Sequence, residues 1–103
     1  QGDELVNKSR QEVIAINDRG VMLAKEGKLD EAIRLLNDAR AILPNNKRIM
    51  INLANMAVMS MRKNGKNDDL MQLANECLRQ VAKLNPQEKW CAQLQVALDS
   101  LPV

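Results

Sequence analysis

The stretch NDRGVMLAKEGKLDEAIRLLNDARAILP, residues 17–44, decides the fold. Its apolar and small residues recur at helical spacing and are interrupted at Gly27 and again at Pro44, which predicts two helices joined by a tight turn. Gly20, Ala32 and Ala39 are small enough for two helices to approach closely, and Leu23 and Leu36 are placed to fill the seam. Gly27 suits the left-handed residue that closes a helix, and Pro44 cannot continue one. The first helix is expected from about Ser9 to Glu26 and the second from about Leu29 to Leu43. Residues 1–12 either extend the first helix backward through Leu5 and Val6 or cover its exposed end.

Downstream, Ile49, Met50, Ile51, Leu53, Ala54, Met56, Ala57, Val58, Met59 and Met61 make a third helix, from about Asn46 to Lys63, that is apolar on most sides. A helix of that kind is surrounded by neighbours. Asn64-Gly65-Lys66-Asn67 turns the chain, and a fourth helix is expected from about Asp68 to Leu84. Asn85-Pro86-Gln87-Glu88 reads as a helix start, with Asn85 as cap, Pro86 at the first position and Glu88 reaching back. The fifth helix then runs to about Ser100, with Trp90, Leu94, Ala97, Leu98 and Leu101 on a stripe that covers the end of the stack. Trp90 is expected to pack there.

The rest of the composition agrees. In 103 residues there is no Phe, Tyr or Thr and a single Trp, while Ala, Leu, Met, Lys, Glu, Gln and Arg are abundant, a mix that favours helix over strand. The prediction is one all-α domain of modest stability. A net charge of +2 with interspersed signs offers no block of cations for a phosphate backbone, so no nucleic-acid partner is expected. No segment has the length of apolar sequence that a membrane span needs. The chain opens Gln1-Gly2 without an initiator Met, which suggests a segment of a longer protein. Cys77 and Cys91 are too few for a disulfide framework and are expected to be buried thiols; without His, a metal site has little to build on.

The small residues Gly20, Ala32 and Ala39, followed by Pro44, fall where the tetratricopeptide repeat family has its small, Ala, Ala and Pro positions, and the chain resembles that family. The resemblance implies antiparallel helical hairpins stacked as a short right-handed solenoid: a first repeat over 13–46, a second over 47–86, and a capping helix and tail over 87–103. Ile16 and Gly20 map to Met50 and Ala54 with a shift of 34, whereas Ala32, Leu36 and Pro44 map to Ala74, Leu78 and Pro86 with a shift of 42. Eight residues are therefore inserted between the helices of the second repeat, expected as extra helix plus a longer loop. More narrowly, Asn17 to Leu23, Gly27-Lys28, Leu43 to Asn46 and Leu84-Asn85-Pro86 are similar to the C-terminal repeat segment of bacterial response regulators that pair a receiver domain with such repeats. That implies a cytoplasmic two-component signalling protein acting as a scaffold or adaptor.

In this architecture the first helices of successive repeats line a groove. The groove stripe of the third helix is Arg48, Asn52, Asn55, Met59 and Arg62, whose spacing keeps them on one face. On the first helix it is Ile14, Asp18, Val21 and Lys25, with Asn17 and Ile51 alongside. Guanidinium forks and carboxamides suit a carboxylate and peptide amides, so a protein or peptide partner is expected, against the plainer reading of a solvated face. The family's clamp for acidic chaperone tails does not carry over: its positions hold Asn17, Val21, Asn52, Trp90 and Leu94, which match at one of five. Of the methionines, Met50, Met56, Met61 and Met71 are expected to fill core gaps and Met59 to face the groove.

Catalysis finds no support. With no His or Tyr, with Ser9, Ser60 and Ser100 the only hydroxyls, and with Asp68-Asp69 best read as a helix opening, there is no acid–base or nucleophile pair, no phosphate loop and no cofactor motif. The expected function is a binding module, with self-association through the ends of the stack or the inserted region as the alternative.

Overall fold

Local chemistry starts and stops each helix. The computed structural model describes residues 2–101, with side chains described from residue 11 onward. Five helices follow one another: α1 (Gly2–Lys25), α2 (Leu29–Ile42), α3 (Lys47–Asn64), α4 (Asp68–Leu84) and α5 (Lys89–Asp99). The fold is all-α, and no strand occurs among the described residues.

Gly27 ends α1 with a φ of 87°, and the Lys28 amide donates back to the Leu23 carbonyl at 2.9 Å. Asn46 and Asn67 cap α3 and α4, each accepting through Oδ1 from a backbone amide three residues on, Ile49 and Leu70, at 3.1 Å. Such caps each contribute about 1 kcal/mol. Gly65, at a φ of 99°, closes α3 by donating to the Met61 carbonyl at 2.8 Å.

Two expectations about these elements change. The eight residues by which the second pair of helices is expected to exceed the first lie in the helices and not in the turn. Residues 65–67 connect α3 to α4 just as residues 26–28 connect α1 to α2, while α3 runs further past Ala54 than α1 runs past Gly20, and α4 begins further ahead of Ala74. The fifth helix starts at Lys89, not Pro86. Asn85 Oδ1 accepts from the Gln87 amide at 3.2 Å and the Asn85 carbonyl from the Glu88 amide at 3.1 Å, so residues 85–88 form a turn in place of a first helical turn.

Successive helices pack on one another, and α3 touches all four others. Ile49, Met50, Leu53, Ala54, Met56, Ala57, Val58 and Met61 of α3 are all buried, as a centrally placed helix requires. They join Ala32 and Leu36 of α2, Ala74, Cys77, Leu78 and Val81 of α4, and Leu94 and Leu98 of α5 in one core. A smaller cluster of Val13, Ala39 and Ile49 closes the end near the α2–α3 turn. Between α2 and α4, Arg40 meets the Glu76 carboxylate at 3.4 Å, and Gln80 of α4 donates to Asn45 of the α2–α3 turn at 3.1 Å.

Candidate functional site

Trp90 is the second residue of α5, and its side chain is 54% exposed. With the helix beginning at Lys89, the indole lies in the first turn, ahead of the buried Leu94 and Leu98. The expectation of a packed Trp90 is thereby corrected. The indole lines a cleft of ≈ 340 Å³ between α3 and α5, together with Lys47, Arg48, Ile51, Asn52, Asn55 and Glu88. Three residues of the expected α3 stripe, Arg48, Asn52 and Asn55, therefore share one cleft with the only aromatic side chain in the sequence.

The residues in that cleft differ in how free they are. Lys47 Nζ lies 2.8 Å from the Glu88 carboxylate, which ties the turn before α5 to the first turn of α3. That ammonium hydrogen bond holds the Glu88 carboxyl below its ordinary range. Asn52 donates from Nδ2 to Oδ1 of Asn17 on α1 at 3.1 Å, and Asn17 is 4% exposed, so this carboxamide is partly committed to the α1–α3 seam. Asn55 is exposed, and its amide nitrogen meets the Met59 sulfur at 3.9 Å, a weak contact easily exchanged for a ligand. Arg48 is exposed and makes no ion pair among the described residues.

A second cleft of ≈ 450 Å³ adjoins the first. Ile14, Asn17, Asn45, Asn46, Lys47, Arg48 and Ile49 line it, so Lys47 and Arg48 belong to both. Of the α1 stripe, Ile14 and its neighbour Asn17 reach this surface. Asp18 and Lys25 are exposed but line neither cleft, and Val21 is half-buried against the main core. Met59 and Arg62 lie further along α3, exposed and outside both clefts. The reading from sequence missed Lys47 and Glu88. The signal that would have found them is the pair of opposite charges at two helix starts that α3–α5 packing brings together.

Both thiols are free. Cys77 is buried and Cys91 half-buried, the latter a correction to the expected pair of buried thiols. No group of residues suited to holding a metal ion occurs among the described residues, and among them no helix is long and apolar enough to cross a membrane. No family model, curated protein or solved structure matches the chain.

Proposed function

We propose that this chain is a non-enzymatic protein-interaction module that holds a partner segment on the face formed by α1, α3 and α5. The observation that carries the reading is the exposed indole of Trp90 facing Arg48, Asn52 and Asn55 across one cleft. An aromatic surface beside a guanidinium with no ion-pair partner among the described residues combines two of the side-chain types that dominate protein recognition, and Asn55 adds a carboxamide held only by a weak sulfur contact. The stacking of one hairpin on the next, with α3 enclosed and α5 at the end, supports a reading as two tetratricopeptide-like repeats and a capping helix. On that reading the module belongs to a larger cytoplasmic signalling or adaptor protein of the response-regulator type.

The test is capture of partners from a bacterial lysate by the wild-type chain and by a Trp90→Ala/Asn55→Ala variant of equal melting temperature. A protein retained by the wild type and lost by the variant supports this face; equal retention by both removes it from the argument.

A second reading is favoured by a different surface. Leu78, Ala82, Cys91 and Ala92 line a largely apolar cleft of ≈ 570 Å³ between α4 and α5, and Val96 of α5 is 64% exposed. Apolar surface of this kind suits self-association through the end of the stack. A strict monomer by light scattering at high concentration would exclude it.

A further inference from the structure

We infer, building on the self-association reading above, that the α4–α5 cleft of one molecule takes the free edge of α2 from a second copy, so that the chain associates head to tail through two unlike surfaces.

α1 and α2 form one end of the helix array and α4 and α5 the other: among the described residues α5 packs on α3 and α4 and on neither α1 nor α2. At the first end, α2 buries Leu29, Ala32, Leu36 and Ala39 and turns Arg40 toward Glu76 of α4. Glu31, Leu35, Asp38 and Ile42, spaced four, three and four residues apart, run along the helix on the far side of that buried stripe from Arg40. Glu31 and Asp38 are exposed, Ile42 is 53% exposed, and Leu35, half-buried, belongs to neither core cluster among the described residues. A row of side chains at this spacing is the ridge that helix packing seats in a groove. It carries two apolar side chains about 10 Å apart along the axis, each with an acid beside it.

The cleft at the other end has the matching character. Leu78, Ala82 and Ala92 make its lining largely apolar, and Arg79 is the one charged residue that lines it. Arg79 is exposed, forms no ion pair among the described residues, and donates from Nε only to the Asn75 carbonyl, at 3.5 Å. An acidic ridge with apolar side chains therefore faces an apolar groove whose cation is unopposed, and apolar burial gives the contact its strength while the charges fix its register. The flanking charges are also opposite in sign: Arg34 stands beside the α2 ridge, and Asp99, which accepts from Gln95 of the cleft at 3.2 Å, stands beside the groove.

Because ridge and groove are unlike and lie at opposite ends, their contact does not close a two-fold dimer. Each added copy leaves one ridge and one groove free, and the series stays open. One helix edge in one cleft buries less than the about 1,200 Å² of a stable interface, so the association is weak and shows at high concentration.

The experiment is sedimentation equilibrium of the full chain over a concentration series, with a ridge variant, Ile42→Asp, and a groove variant, Arg79→Glu. Both substitutions are at exposed sites, and each variant is used after a thermal melt matches wild type. The wild-type mass should rise with concentration past that of a dimer, and each variant alone should stay monomeric. An equimolar mixture of the two variants should form a dimer and nothing larger, because only the intact groove of one and the intact ridge of the other remain to meet, while the two altered surfaces are both acidic. A wild type that stops at a dimer, association that persists in either variant, or a mixture that stays monomeric would each overturn the inference and leave self-association standing. A wild type that is a monomer at every concentration would overturn both, so the two failures are distinguishable.

Discussion

Leu36 lies against the bare Cα of Gly20: a Cβ built on that glycine would come 3.0 Å from Leu36 Cγ and 3.1 Å from its Cδ2. Leu36 is fully buried, so it has little room to withdraw. Alanine at position 20 gains about 1 kcal/mol of helix propensity and loses about 1–3 kcal/mol to overpacking. The expected outcome is net destabilisation by Gly20→Ala of about 1 kcal/mol in urea unfolding. In a Leu36→Ala background the same change should stabilise; destabilisation in both backgrounds would mean that Leu36 is not what Gly20 makes room for.

The Asn17–Asn52 hydrogen bond separates stability from binding on α3. Asn52→Ala removes the donor to a nearly buried acceptor and should destabilise by about 1–2 kcal/mol. Asn55→Ala, at an exposed site, should stay within about 0.5 kcal/mol of wild type. Thermal melts of the two variants decide it. Equal melting temperatures would show that the carboxamide pair contributes nothing to the α1–α3 seam.

As the only aromatic residue in the sequence, Trp90 reports on its own environment. Its emission should be that of a solvated indole and should be quenched efficiently by acrylamide in the free protein. A bound peptide should shift it to the blue and protect it. Emission already blue-shifted and unquenched without ligand would place Trp90 inside the protein.

The two cysteines should differ in reactivity. Burial pushes the Cys77 thiol from an ordinary 9.0 up to about 11, and raises Cys91, half-buried, by the same cause. Timed alkylation at pH 8 followed by peptide mass spectrometry should show Cys91 modified first and Cys77 only as fast as the fold opens. Because the native pKa of Cys77 is the raised one, its neutral thiol contributes stability in full below pH 9. That stability is lost as pH rises from 9 to about 11, and Cys77→Ala should flatten this part of the pH profile.

Glu88 gives an acid-side counterpart. Its native pKa is depressed by the Lys47 hydrogen bond, so the pair stabilises in full above pH 4.5 and is lost as pH falls through the lower native value. Glu88→Gln should melt below wild type at neutral pH, and the gap should narrow in acid. A gap independent of pH would assign the effect to the neutral contacts of the turn instead.

The all-α class and the helix order were legible in residues 17–44 because the signals there are local. Apolar spacing sets the helices, Gly27 and Pro44 end them, and Gly20 with Leu36 marks the seam. The central position of α3 was legible too, since ten apolar residues spread around one helix call for neighbours on several sides. The α5 start was misread because Asn85-Pro86 satisfies a capping pattern equally well as a turn; Asn85 closes the turn through the Gln87 and Glu88 amides, and Glu88 is held there by Lys47, a partner far away in sequence.

Sequence alone thus determined what depends on neighbours along the chain: helical state, the stops at Gly27 and Gly65, and the one-sided spacing of Arg48, Asn52, Asn55, Met59 and Arg62 along α3. Only tertiary structure decided which members of that stripe share a cleft, because that depends on where α1 and α5 lie against α3. It grouped Arg48, Asn52 and Asn55 with Trp90, left Met59 and Arg62 outside, and committed Asn52 to Asn17. Side-chain freedom is set by partners across helices, and no local pattern encodes which charge is already paired and which is free.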